Sequence, residues 1–283
     1  MADQVVMGAV AYDPKVVTIW EGFRAWLRQR DLEFDFVLYS NYERQVDELL
    51  AGRIDAAWNS PLAWVRARRA APGAGVIVRP LVMRDTDQDL RSVVVVASGS
   101  PAQSLMDLRG KVVATGAVDS PQATLLPLDQ LRRAGLDPGT DIELRRFDIG
   151  TGLHGDHIGG ERAAARALAA GEVDAACMID ANHLLFAQEG TLPPGSTRVL
   201  AATPVYDHCN MTVVGVGPGI DRFGELLCSM DYADPEVRPL LDLEGLHTWV
   251  DGRTEGYELL ERAVDGASFY DPRGRITAAH YRP

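Results

Sequence analysis

The strongest constraint on this chain is a repeated switch of hydrophobic period, from strand-like runs to segments whose apolar residues recur every three or four positions. Residues 4–11 are rich in valine, and Pro14 and Thr18 then lead into Ile19, Trp20, Phe23, Trp26 and Leu27, which share one helical face. The switch recurs: 34–39 reads as a strand and 42–51 as a helix with Val46, Leu49 and Leu50 inward and Gly52 as its stop. Residues 54–58 form a short buried strand running into Asn59-Ser60-Pro61, where Pro61 suits the first turn of a helix over 62–69. Alternation with short connections predicts an α/β chain whose sheet is mainly parallel and covered on both faces.

After the polar stretch 85–89 the series starts again with an apolar strand over 92–97, a helical turn at 105–110 and strands at 111–115 and 142–147. Helices over 124–135 and 160–171 and a strand over 173–179 complete it, and a further strand at 211–216 precedes a mostly helical C-terminal part. The economical arrangement is two lobes with a cleft between them, 1–88 plus 205–283 forming one and 89–204 the other, joined by two crossovers. At 283 residues and 46% hydrophobic content the chain can bury a core in each.

Charge and cysteine content narrow the function. With 28 basic against 40 acidic residues the net charge is -12, which repels nucleic acid and anionic membrane surfaces. Asp, Arg, Glu or Gly interrupts every apolar run before membrane-spanning length, so no transmembrane segment is expected. The N-terminus lacks a basic region followed by a long apolar stretch, and with Met1 as the natural start the expected location is cytoplasmic. Cys177, Cys209 and Cys228 do not form a complete set of pairs or a zinc-type spacing, so reduced thiols are expected. No P-loop, dinucleotide glycine fingerprint, Gly-x-Ser-x-Gly elbow or EF-hand loop occurs, and no cofactor is expected.

Three sets of residues, in order, carry a family resemblance. The first is Tyr42, the helix after it, Gly52-Arg53-Ile54-Asp55 and the strand-to-proline turn Asn59-Ser60-Pro61. The second joins Asp107-Leu108-Arg109-Gly110-Lys111 to the turn Asp119-Ser120-Pro121-Gln122-Ala123-Thr124, and the third Gly171-Glu172-Val173-Asp174 to Thr203-Pro204. Over roughly residues 5–215 the chain resembles the phosphonate-type solute-binding proteins of ABC transporters. The resemblance implies a two-lobed type II periplasmic-binding-protein fold that closes over a small anion. It places ligand contacts at Tyr42 and at the turn holding Ser120, Gln122 and Thr124, and a membrane transporter becomes a partner only if the chain is exported. Where the family tends to carry one histidine before the Gly-x-Val-Asp helix, this chain has the longer insert 152–161, and the hydroxyl cluster of the anion turn becomes Ser120, Pro121 and Gln122.

The residues themselves leave alternatives open. Ser60 and Ser120 stand at helix starts, where each serves either as an ordinary N-cap or as part of an anion cradle. Tyr12 and Tyr42 can form an aromatic wall, and Arg91 a bidentate clamp near the expected hinge. His154 and His157 bracket Asp156 in a glycine-rich loop that ends at Glu161. That is a polar hydrogen-bonding loop or an incomplete metal set, and no metal is assigned. Asp180, Asp207, His208 and Asn210 complete the candidate ligand residues. Cys209 reads as buried core, or as a nucleophile served by His154 or His157 from the other lobe, since neighbours on an extended segment point to opposite sides. Two functions therefore stand side by side: a protein that binds a small anion, phosphonate, phosphate ester or carboxylate, and a cytoplasmic enzyme on the same fold, a decarboxylase, desulfinase or hydrolase using His154, His157 and Cys209.

Overall fold

A computed structural model of the chain describes residues 4–283. The chain opens with β1 (Gln4–Val10), α1 (Lys15–Arg28), β2 (Glu33–Tyr39), α2 (Tyr42–Leu50), β3 (Ala56–Asn59), α3 (Pro61–Ala74), β4 (Val78–Pro80) and β5 (Val82–Arg84). It continues with β6 (Ser92–Ala97), β7 (Val112–Thr115), α4 (Leu126–Arg133), β8 (Glu143–Arg146), α5 (Gly159–Ala169), β9 (Ala175–Ile179), α6 (Asp180–Gln188) and β10 (Thr197–Ala202). The last third holds β11 (Asn210–Val214), α7 (Pro218–Cys228), α8 (Arg238–Glu244), β12 (Trp249–Asp251) and α9 (Glu258–Gly266).

Two five-stranded sheets form, β2-β1-β3-β11-β4 and β10-β6-β9-β7-β8, with β12 and β5 paired apart from both. The expected mainly parallel character needs correction. In each sheet two ladders are parallel and two antiparallel. The cause is the crossovers: β6 and β11 each enter from the other sheet's side and run against the strands laid down by the βαβ units.

Local chemistry explains the helix starts that face the cleft. Ser60 Oγ accepts from the Ala63 amide at 3.1 Å and Ser120 Oγ from the Ala123 amide at 3.2 Å, each just before a proline in the first turn. The helix after Ser120 begins as a π turn over Pro121–Leu125 and becomes α4.

The first sheet packs on α1, α7 and α8 through Trp20, Phe23, Trp58, Phe223, Leu227 and Leu241. Full burial of such side chains contributes about 1.5–3 kcal/mol each. The C-terminal segment does not simply rejoin the first lobe. Leu259, Leu260, Phe269 and Tyr281 share one apolar cluster with Leu62 and Val65 of α3 and with Leu125 and Leu126 leading into α4, so α9 and the tail bridge both halves.

Candidate functional site

Between the two sheets lies a cavity of about 260 Å³, lined on one side by Tyr12, Lys15, Arg84 and His208 and on the other by Gln122, Asp156, Ile179 and Asn182. Lys15 begins α1, Ile158 precedes α5 and Ile179 precedes α6. Three helix starts thus converge there, and the positive ends of their dipoles favour negative charge. Among the described residues, His208 Nε2 and Gln122 Oε1 are buried without a hydrogen-bond partner, and both side chains line this cavity. Asn182 is partly committed, donating to Glu161 Oε2 at 2.8 Å.

The floor of the cavity is a charged network. Arg84 grips Asp87 through Nε to Oδ2 at 2.5 Å and Nη2 to Oδ1 at 2.9 Å, and reaches Glu244 Oε1 at 3.3 Å. Burial pushes the Asp87 carboxyl up, but the Arg84 guanidinium and His208 outweigh it and hold its pKa at about 2. For Glu244 burial wins, and its pKa rises to about 7. His208 Nδ1 lies 3.4 Å from Asp87 Oδ1 and 3.1 Å from Cys209 Sγ. Asp87, His208 and Cys209 are the metal-type donors that cluster among the described residues. They do not suit a cation, because Arg84 already holds both Asp87 oxygens and burial pushes the Cys209 thiol well up, away from the thiolate a metal requires.

Residues 152–156 of the insert occupy the corner next to the cavity. His154 is wholly buried, with Nδ1 2.6 Å from Ser60 Oγ, Nε2 3.0 Å from Glu43 Oε1 and its ring stacked on Tyr42 at 4.8 Å. Its φ of 49° lies in the left-handed region, an arrangement held by the packing around it. Asp119 Oδ2 accepts from the Gly152 and His154 amides, Gln122 Nε2 donates to Gly155 O at 2.9 Å, and the Tyr42 hydroxyl donates to Asp156. A Cβ on Gly155 would stand 2.4 Å from Ser120 Oγ, so glycine there lets the loop press against the anion turn.

The candidates from sequence therefore separate. Tyr12, Gln122 and His208 line the cavity, while Tyr42, Ser60 and Ser120 face it across the insert and are already engaged by it. Glu161 is buried behind Asn182 and accepts from the Ile179 amide. Asp180 starts α6 and accepts from the Ala181 amide. Thr124 turns inward to Ala117 O and away from the cavity. Arg91 is exposed and donates to Thr203 O; the arginine at the cavity is Arg84. Asp207 is buried in a bidentate pair with Arg253, and Asn210 donates to the Tyr257 hydroxyl behind the sheet. His157 is exposed, its Nδ1 accepting only from the Gly159 amide.

The expected meeting of Cys209 with His154 or His157 does not occur. The imidazole beside its sulfur is its chain neighbour His208, with Nδ1 3.1 Å from Sγ. The residues that sequence reasoning passed over are Lys15, Arg84, Asp87, Asn182, Glu43 and Glu244. A lone Arg-x-x-Asp in a crossover gives no spacing signal, since its partners His208 and Glu244 lie more than a hundred residues away.

Comparison with known proteins places this arrangement. PhnD1 from Prochlorococcus marinus, solved in complex with methylphosphonate, is 18% identical over 95% of this chain and 99% of its own, with a TM-score of 0.69. A binding-protein component of an ABC phosphonate transporter from Pseudomonas aeruginosa is 14% identical, covering 92% of this chain and 84% of its own at a TM-score of 0.59. The periplasmic aliphatic sulphonate-binding protein SsuA from Escherichia coli is 18% identical, covering 100% and 93% at 0.58. These likenesses establish the two-lobed binding-protein fold. The family model described as the periplasmic substrate-binding protein of phosphonate ABC transporters matches residues 8–257, and the chain belongs to that family.

Proposed function

We propose that this chain closes its two lobes over a small oxyanion, phosphonate, phosphate ester or carboxylate, held between Lys15 and His208, and delivers it to a membrane transporter. The observation that carries the reading is His208 Nε2, buried without a hydrogen-bond partner and set beside Lys15 in a cavity where three helix starts converge. Family membership and the relatives named above support it, and they lend no support to an enzyme. The cleft chemistry agrees, because Cys209 is buried with a raised thiol pKa, the reverse of an activated nucleophile. Location is a separate question. The cytoplasmic expectation rests on the N-terminal sequence and the family's description is periplasmic, so release by osmotic shock separates the two. No helix of the described residues is long and apolar enough to cross a membrane.

Calorimetric titration with methylphosphonate, inorganic phosphate and acetate tests the reading. At least one anion should bind, and His208→Ala and Lys15→Ala should each weaken it by about 1.5–3 kcal/mol, the range for a hydrogen bond to a charged group. Binding that both variants leave unchanged overturns this location for the site.

A further inference from the structure

We propose that Asp156 sets the ligand's identity: the preferred ligand is a singly charged oxyanion that also carries an O–H or N–H donor, which it presents to the Asp156 carboxylate. The inference rests on the cavity assigned above and deepens it.

Asp156 lines the same cavity as Lys15 and His208, from the opposite lobe. One of its oxygens, Oδ2, accepts from the Tyr42 hydroxyl; among the described residues nothing hydrogen-bonds to Oδ1. An acceptor with spare capacity on the cavity wall can take a donor from whatever fills that cavity. Arg84, the buried cation there, is bound to Asp87 and Glu244. Lys15 is the cavity cation with no carboxylate within ion-pair distance among the described residues. Lys15 can balance one ligand charge, and Asp156 across the cavity opposes a second.

The Asp156 side chain is held where it is. His154, two residues before it, is fixed by Ser60, Glu43 and Tyr281, and Gly155 is fixed by Gln122. The carboxylate itself is held by the hydroxyl of the buried Tyr42, so a ligand that lacks a donor can push it aside only by breaking that hydrogen bond. The groups that act on Asp156 are His208, Tyr42, Arg84 and His154, and burial already raises its pKa. An anion arriving beside it raises the pKa further, so binding of a donor-free anion should be accompanied by proton uptake.

Methylphosphonate and methanesulfonate have nearly the same shape. At mildly acidic pH each carries one charge, and only the phosphonate keeps an O–H. Calorimetry in buffers of different ionisation enthalpy then reads affinity and proton uptake together. The wild-type protein should bind the hydrogen phosphonate at least about tenfold more tightly than the sulfonate, since a site built around a donor rejects the analogue lacking it. Asp156→Asn, which offers an N–H in place of a bare acceptor, should raise sulfonate affinity, shrink or reverse that ratio, and abolish proton uptake. If the wild type binds both anions within about twofold and takes up no proton with either, the role of Asp156 is overturned while the cavity assignment stands. If it binds neither but binds acetate or phosphate, the proposed preference is overturned while the cavity assignment stands; if it binds none of the four, the cavity assignment itself fails. The wild-type ratio decides the matter even if Asp156→Asn does not fold.

Discussion

At the scale of single residues the arrangement turns on a buried ion pair, His154 with Glu43, which fixes the insert against the first lobe. Burial alone would raise the Glu43 pKa, but the His154 imidazolium and the Tyr270 hydroxyl, 2.6 Å away, hold it down at about 2. His154 shifts the other way: burial favours its neutral form, and the facing Glu43 carboxylate overcomes that and raises it. The signs define a window. The Glu43 contribution is present above its ordinary pKa of 4.5 and is lost as pH falls toward about 2. The His154 contribution is full below its ordinary 6.5 and is lost as pH rises through the raised value. Glu43→Gln should therefore destabilise the protein most between pH 4.5 and 6.5, by about 3 kcal/mol, with the difference narrowing on either side. Urea unfolding across that range measures it, and a difference independent of pH would rule the pair out. Sequence showed the His154 loop as chemistry-bearing but not its partner, since Glu43 in the first turn of α2 reads as an ordinary helix-start acid.

At the scale of elements, what was legible followed the strength of the local pattern. The valine run of β6 and the amphipathic α1 and α2 stand within a residue or two of where periodicity puts them. The three-residue strands β4, β5 and β12 are too short to show alternation. Helix α6 hid because Leu184 and Leu185 are exposed while Phe186 is buried, leaving no apolar face to read. The bridging role of α9 and the tail was also out of reach, because an apolar face does not name the lobe it will meet. That role is testable. Phe269 sits in the cluster shared by both lobes, whereas Phe223 stacks on Phe34 within the first lobe's core. Phe269→Ala and Phe223→Ala should each cost about 3–5 kcal/mol. Only Phe269→Ala should also weaken anion binding, because it loosens the link that sets the lobes' spacing. Equal effects on affinity, read by calorimetry with stability matched by urea unfolding, would contradict the bridge.

At the scale of the whole molecule, two mixed sheets face each other across a cavity whose walls come from both, so a ligand there is complete only when the lobes are together. The insert, through residues 152–156, gives this chain its own version of the cleft. It engages Tyr42, Ser60 and the Ser120 turn, and leaves Lys15, Gln122, Asp156 and His208 facing the remaining space. The central claim is that the anion sits in that remaining space. A crystal structure of the protein grown with methylphosphonate is the most direct measurement. The account predicts phosphonate oxygens within hydrogen-bond reach of His208 Nε2, with Lys15 and Asp156 on opposite sides of the phosphorus. Phosphonate bound instead in the groove lined by Asp129, Gln130 and Thr203, or seated on Ser60 and Ser120 with the insert displaced, would contradict it.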